Sequence, residues 1–249
     1  MSYKKKTREV ILDYAKTHSC VDVINVAKAM LESKSFKWDK TFLSHTHGEV
    51  CESVLEVIIQ DYIKKNPEKT KDWFYKKGLI IKDIKNPRSG YFTELDLTLF
   101  TPEMIYAFEC KSYGGDKRIT DKCMIRKKAG GTFDVFAQHY QHVKILSEQL
   151  DAFRIGKYKD LPAYQLVLFN FSTGKTEDIR DAKNKVMIPC LNEKNILNIF
   201  RLSSGKPKIW NMHHLEKAVS IITKKDNTEK HLKYVKELNK NRMVTKNDL

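Results

Sequence analysis

The stretch Glu94–Lys111, ELDLTLFTPEMIYAFECK, decides the fold. Leu95, Leu97 and Leu99 take every second position, and Glu94, Asp96 and Thr98 take the others. That is the period of a half-buried strand, whose successive side chains point to opposite faces. After Thr101-Pro102-Glu103, which is turn chemistry, Met104, Tyr106, Phe108 and Cys110 fall on one face and Ile105, Ala107, Glu109 and Lys111 on the other. If the two strands pair antiparallel with the leucine and Tyr106/Phe108 faces together, parity gathers Asp96, Glu109 and Lys111 on the opposite face. Two carboxylates facing each other across a strand pair repel unless a cation lies between them. A divalent metal with a neighbouring lysine meets that need. The plain alternative is a cross-strand salt bridge on a solvated face, because Glu-x-Lys arises by chance in a chain with 31% charged residues.

Upstream, GLIIKDIKN predicts the strand before this hairpin, with the turn at Pro87–Gly90. Before it, Cys51, Val54, Leu55, Ile58 and Tyr62 recur at helical spacing, and the helix is expected to follow a loop carrying His45 and His47. On this helix Glu49, Glu52 and Glu56 share a side, at a spacing where like charges destabilise. The helix dipole favours acids in a first turn, which accounts for Glu49 and hardly at all for Glu56. Glu52 is better explained as a third carboxylate reaching toward Asp96 and Glu109.

Downstream, Ser112–Gly131 carries Lys117, Arg118, Lys122, Arg126, Lys127 and Lys128 between glycine pairs. It reads as a basic loop leaving the carboxylate face, placed for phosphate contacts, with a merely solvated surface as the other reading. FDVFAQHYQHVKILSEQL predicts a helix with Phe136, Tyr140, Val143, Leu146 and Leu150 buried and Gln138, Gln141 and His142 on a polar stripe. AYQLVLFNF and VMIPCL read as strands, and NEKNILNIF as a helix capped by Asn192.

The chain has 249 residues, 41% apolar, enough for a core. A formal charge of +15 points to a polyanionic partner. No apolar run approaches the roughly 20 residues that cross a bilayer, and Lys4–Lys6 lead into no apolar signal core, so the expectation is a cytoplasmic protein without membrane contact. Five cysteines without Cys-x-x-Cys pairing indicate neither a disulfide framework nor a zinc site. Three regions are expected: a helical extension at 1–44, packed on the main domain, a domain at 45–222, and a Lys-rich tail at 223–249.

From about His45 to Ile222 the residues resemble the nuclease-related domain (NERD), a branch of the PD-(D/E)xK nuclease superfamily. The family's Gly-Glu-x-Gly-Glu is similar to Gly48-Glu49-Val50-Cys51-Glu52, with Cys51 in place of the second glycine. Glu94-Leu95-Asp96, Glu109-Cys110-Lys111 with Tyr113 and Gly115, and Gln138 resemble the motifs that follow, although the proline that often precedes the glutamine is missing. Leu166–Phe169 resembles a later strand, and VMIPCLNEKNI the closing segment. The resemblance implies an α/β fold with a restriction-endonuclease-like core, a mixed central sheet flanked by helices. It implies a Mg²⁺- or Mn²⁺-dependent phosphodiesterase acting on DNA. Asp96, Glu109 and Glu52 would hold the metal with the Cys110 carbonyl, Lys111 would orient the attacking water, and Gln138 would position the water, the lysine or a phosphate. An RNA-cleaving enzyme and a catalytically silent or partner-dependent nucleic-acid-binding module stay open, as does a homodimer.

Overall fold

The computed structural model describes residues 3–32, 40–83, 92–112, 114–121, 124–126, 132–153, 164–181, 187–190, 193–203 and 205–223. Its centre is a five-stranded mixed sheet in the order β1 (Phe74–Lys82), β2 (Phe92–Phe100), β3 (Ile105–Lys111), β7 (Tyr164–Asn170), β9 (Met187–Cys190). β1, β2 and β3 run antiparallel, whereas β3, β7 and β9 run parallel. Parallel neighbours need a crossover. Between β3 and β7 the chain forms α5 (Val135–Ala152), which packs on the sheet. As expected for a strand covered on both faces, β7 is buried along nearly its whole length. The mixed sheet flanked by helices agrees with the architecture expected from the sequence.

One face of the sheet carries α3 (Lys40–Lys65), with α1 (Tyr3–Ala15) and α2 (Cys20–Glu32) packed outside it. Ile11, Val23 and Ala27 join Val54, Leu55 and Ile58 in the same core as Leu97, Tyr106 and Phe108. α3 is therefore buried nearly all round between Val50 and Ile59, as a helix covered on both sides must be. It also begins earlier than expected: His45 and His47 are helical, not in a loop, and Glu49 lies well inside the helix. The first-turn explanation for Glu49 is thereby corrected. Glu56, which the dipole hardly covered, is 2% exposed and takes both Arg8 Nη2 at 2.7 Å and Nε at 3.0 Å from α1. Tyr75 Oη donates to the same carboxylate at 3.1 Å.

The other face carries α5 and α7 (Met212–Ile222), which enclose Ile105, Ala107, Leu166 and Leu168. A second sheet, β6 (Thr132–Phe133), β5 (Met124–Arg126), β4 (Lys117–Ile119), β8 (Thr176–Asp178), takes its two inner strands, β4 and β5, from the segment expected to be a basic loop. α6 (Glu193–Ser203) falls where a helix was predicted. Asn192, the turn at 87–90 and the tail from 224 onward lie outside the described residues.

The regular alternation of β2 breaks at Asp96. Leu97 and Leu99 face the α3 core, but Leu95 lies in the α5 core with Leu79 and Ile81. The expected single leucine face is thus split. The register runs through Lys77↔Leu97 and Leu79↔Leu95, which sets Gly78 opposite Asp96, and Gly78 has φ 58°. A left-handed residue turns the strand, so the side chains beyond it exchange faces. We expect Gly78→Ala to cost about 1–2 kcal/mol, because the left-handed conformation penalises a Cβ and the new atom would lie 3.2 Å from Glu94 Oε1. Urea unfolding of the two proteins measures this, and an unchanged midpoint would remove Gly78 as the cause of the turn.

Candidate active site

The β2–β3 ladder runs from Phe100↔Ile105 to Leu97↔Phe108 and stops one residue short of Asp96 and Glu109. Where the strands part, the Cys110 N–H loses its ladder partner and donates instead to Asp96 Oδ2 at 2.7 Å. The carboxylate of Asp96 is therefore held by backbone. Burial pushes its pKa well above the usual carboxylate range, reinforced by the charges of Glu109 and Glu52.

Glu109 is 2% exposed. Its Oε1 accepts from Lys111 Nζ at 2.5 Å, and its Oε2 lies 3.4 Å from His139 Nδ1 and 3.9 Å from His142 Nδ1. Burial acts to raise this carboxyl, but the His139 ring and the Lys111 ammonium outweigh it and bring it down to about 2. Asp96 and Glu109 thus sit side by side with their pKa values driven in opposite directions. Glu52, on α3, meets Lys77 Nζ of β1 at 3.0 Å. Cys51, the departure from the glycine pattern, directs its thiol to the carbonyls of Lys111 at 3.6 Å and Phe169 at 3.7 Å, tying α3 to the ends of β3 and β7.

Whether these groups suit a hard cation follows from their chemistry. Among the described residues, no three His, Cys, Asp or Glu side chains already close around one point. The donors are nonetheless carboxylate oxygens, the ligands Mg²⁺ and Mn²⁺ prefer. Asp96 is destabilised as an anion by its two acidic neighbours, and Glu109 Oε2 has no hydrogen-bond partner among the described residues. A cation would relieve both, so the residues fit it.

The profile of the nuclease-related domain (NERD) matches residues 52–170. This segment is a nuclease-related domain. It spans α3 from Glu52 onward, β1 to β7 and α5, and it includes Glu52, Asp96, Glu109, Lys111 and Gln138. No curated protein and no solved structure matches the chain.

Within the nuclease-related domain, α5 differs from its expected reading. Gln138 is exposed and Tyr140 is 40% exposed, while the buried stripe runs through Val135, His139, His142, Val143 and Leu146. Gln138 is thus turned away from Glu109, and His139 and His142 face it instead. Their i, i+3 spacing, in phase with Val143 and Leu146, was the available signal; a polar residue in an apolar stripe is easily assigned to the neighbouring one. Lys77 had no distinguishing signal in the sequence.

The basic residues also divide. Lys117, expected at phosphate, is fully buried, and its Nζ donates to the Gly115 and Thr173 carbonyls and Ser172 Oγ at 2.7–2.9 Å. It ties the segment after Lys111 to the loop after β7 and is removed from the phosphate-binding set. Arg118 is exposed and meets Glu177 at 3.2 Å. Arg126 ends β5, its backbone paired with Lys117. Lys122, Lys127, Lys128 and Tyr113 lie outside the described residues.

Burial lowers the His142 pKa from 6.5 to about 4, so the folded protein disfavours the charged ring. A depressed folded-state value means that stability is fully present above 6.5 and declines as pH falls toward 4. His142→Gln is expected to flatten that part of the acid limb in chelator-treated protein, measured by urea unfolding at several pH values. An identical slope in both proteins would contradict the burial of a neutral imidazole.

Proposed function

We propose that the nuclease-related domain hydrolyses phosphodiester bonds of DNA where β2 and β3 part, using Mg²⁺ or Mn²⁺. The supporting observation is the gathering of Asp96, Glu109 and Lys111 at that opening, with Glu52 near enough to act on the Asp96 carboxyl. Asp96, Glu109 and Glu52, with the Cys110 carbonyl, are the oxygen donors that would hold the ion. When bound, the cation supplies Lewis acidity toward the scissile phosphate and lowers the pKa of water.

The chain's own groups then divide the remaining work. Lys111 Nζ, held by Glu109 Oε1, orients the attacking water and offsets charge developing on phosphorus. The Asp96–Cys110 hydrogen bond fixes one carboxylate against the strand, which limits its reorientation during the reaction. Lys77 pairs with Glu52 at the edge of the cluster. Gln138 takes no part from its exposed position. The +15 charge of the whole chain favours a nucleic-acid substrate, since neutralised phosphates release counterions.

The test is incubation of the full chain with linear, circular and single-stranded DNA and with RNA, in Mg²⁺, Mn²⁺ or EDTA. DNA cleavage dependent on the ion is expected. Preferential cleavage of RNA would change the substrate, and binding without cleavage under every condition would leave a nucleic-acid-binding module. Asp96→Asn should lower cleavage by about 100-fold or more while keeping or raising the stability of metal-free protein, because it removes a repelling carboxylate. Lys111→Ala should abolish turnover yet retain ion binding by calorimetry. Wild-type cleavage by Asp96→Asn would refute the assignment.

A further inference from the structure

β1 is an edge strand of the central sheet and carries Lys76, Lys77 and Lys82. Charged residues on a sheet edge commonly block pairing with another strand. Lys76 and Lys82 are exposed and fit that purpose. Lys77 does not. It stands in register with Leu97, which faces the α3 core, so it points under α3, and its side chain is only 20% exposed. There its Nζ lies 3.0 Å from Glu52 Oε2, one residue before the Gly78 that stands opposite Asp96. An ammonium has three N–H donors, and Glu52 is the one hydrogen-bonding or ionic partner of Lys77 among the described residues. A partly exposed pair of this kind contributes little to stability, which leaves the inward turn of Lys77 unexplained by folding.

Lys111 approaches the same opening from the other side, through Glu109, which is packed against His139 of α5. Lysines thus stand on both sides of the carboxylates, Lys77 toward α3 and Lys111 toward α5. A polyanionic strand entering the opening meets Asp96, Glu109 and Glu52, and fixed cations on both sides offset that repulsion. We propose that Lys77 is a second phosphate-contacting residue of the site, whose Nζ binds a backbone phosphate of DNA on the α3 side while Lys111 serves the reacting phosphate. This role rests on the phosphodiesterase reading of the site and adds a binding residue that the sequence motifs do not contain. Glu52 gains a second use from it. By holding the ammonium in the opening before DNA arrives, it reduces the rotamer freedom that Lys77 loses on binding.

Fluorescence anisotropy of the full chain with labelled duplex and single-stranded DNA, in EDTA and across a range of salt, reads the contact without cleavage. Lys77→Met, which keeps the packed stem, should weaken binding about fivefold near physiological salt and reduce the slope of log affinity against log salt by about one. Lys76→Met removes the same charge one residue away and should change either quantity by less than about half as much. Lys77→Arg keeps the charge and should stay within about twofold of the unaltered protein. In Mg²⁺, Lys77→Met should raise KM about fivefold with kcat nearly unchanged, since a contact to a non-reacting phosphate is equally strong before and in the transition state. A fall in kcat with KM unmoved would mean that Lys77 acts only through Glu52. Equal salt slopes for Lys77→Met and Lys76→Met would reduce it to general surface charge, and either result removes Lys77 from the phosphate. A reduced slope for Lys77→Met alone, with no cleavage in any metal, upholds the contact and refutes the hydrolytic reading, while cleavage with slope and KM unchanged does the reverse.

Discussion

Glu109 is a carboxylate taken almost entirely out of water in the middle of a sheet, and the rest of the molecule is arranged around the compensation it requires. An uncompensated buried charge is expensive enough to prevent folding or to force protonation. Here the compensation comes from two directions: Lys111 along the same strand, and the His139 ring of α5 from the layer above. Because β3 lies between β2 and β7, every neighbouring element has to leave room for those contacts. The two hydrophobic clusters, one under α3 and one under α5 and α7, hold the sheet in the position that makes them possible.

The opening between β2 and β3 follows from a local conflict. A regular ladder would continue to Asp96 and Glu109 and bring like charges together. Instead the ladder ends at Leu97↔Phe108, the freed Cys110 N–H is taken by Asp96, and Gly78 opposite supplies the turn. The backbone hydrogen bond lost at the end of the ladder is thus replaced by one to a side chain, and the carboxylate becomes a fixed part of the strand end. Strand irregularity and chemistry coincide at this point because a site needs groups aimed away from the regular pleat.

α1 and α2 take part in the same arrangement at a distance. By covering the outer side of α3 they bury Glu56, and Arg8 reaches across to neutralise it. Glu52, one turn earlier, remains half-exposed and pairs with Lys77. Three acids on one helix therefore have different fates: Glu56 is structural, Glu52 borders the carboxylate cluster, and Glu49 is buried near the Ser53 hydroxyl, which donates to its backbone carbonyl.

The period of β3 was legible in the sequence, because strand parity is a local property: Glu109 and Lys111 had to share a face, with Tyr106 and Phe108 on the other; the leucine face of β2 was not, because the strand turns at Gly78 and Asp96. The mixed sheet and its flanking helices were implied by the resemblance of the ordered motifs to the nuclease-related domain, not by any period in the chain. Tertiary structure alone decided which side of α5 meets that face. The stripe through Phe136 and Tyr140 and the stripe through His139 and His142 share Val143, Leu146 and Leu150, and only packing against the sheet turned His139 and His142 inward and left Gln138 exposed. It alone made Lys117 a buried clamp, since its three acceptors come from backbone and a hydroxyl brought together by the fold. Burial and partners of a charged side chain depend on residues far away in sequence, and no period within the chain encodes them.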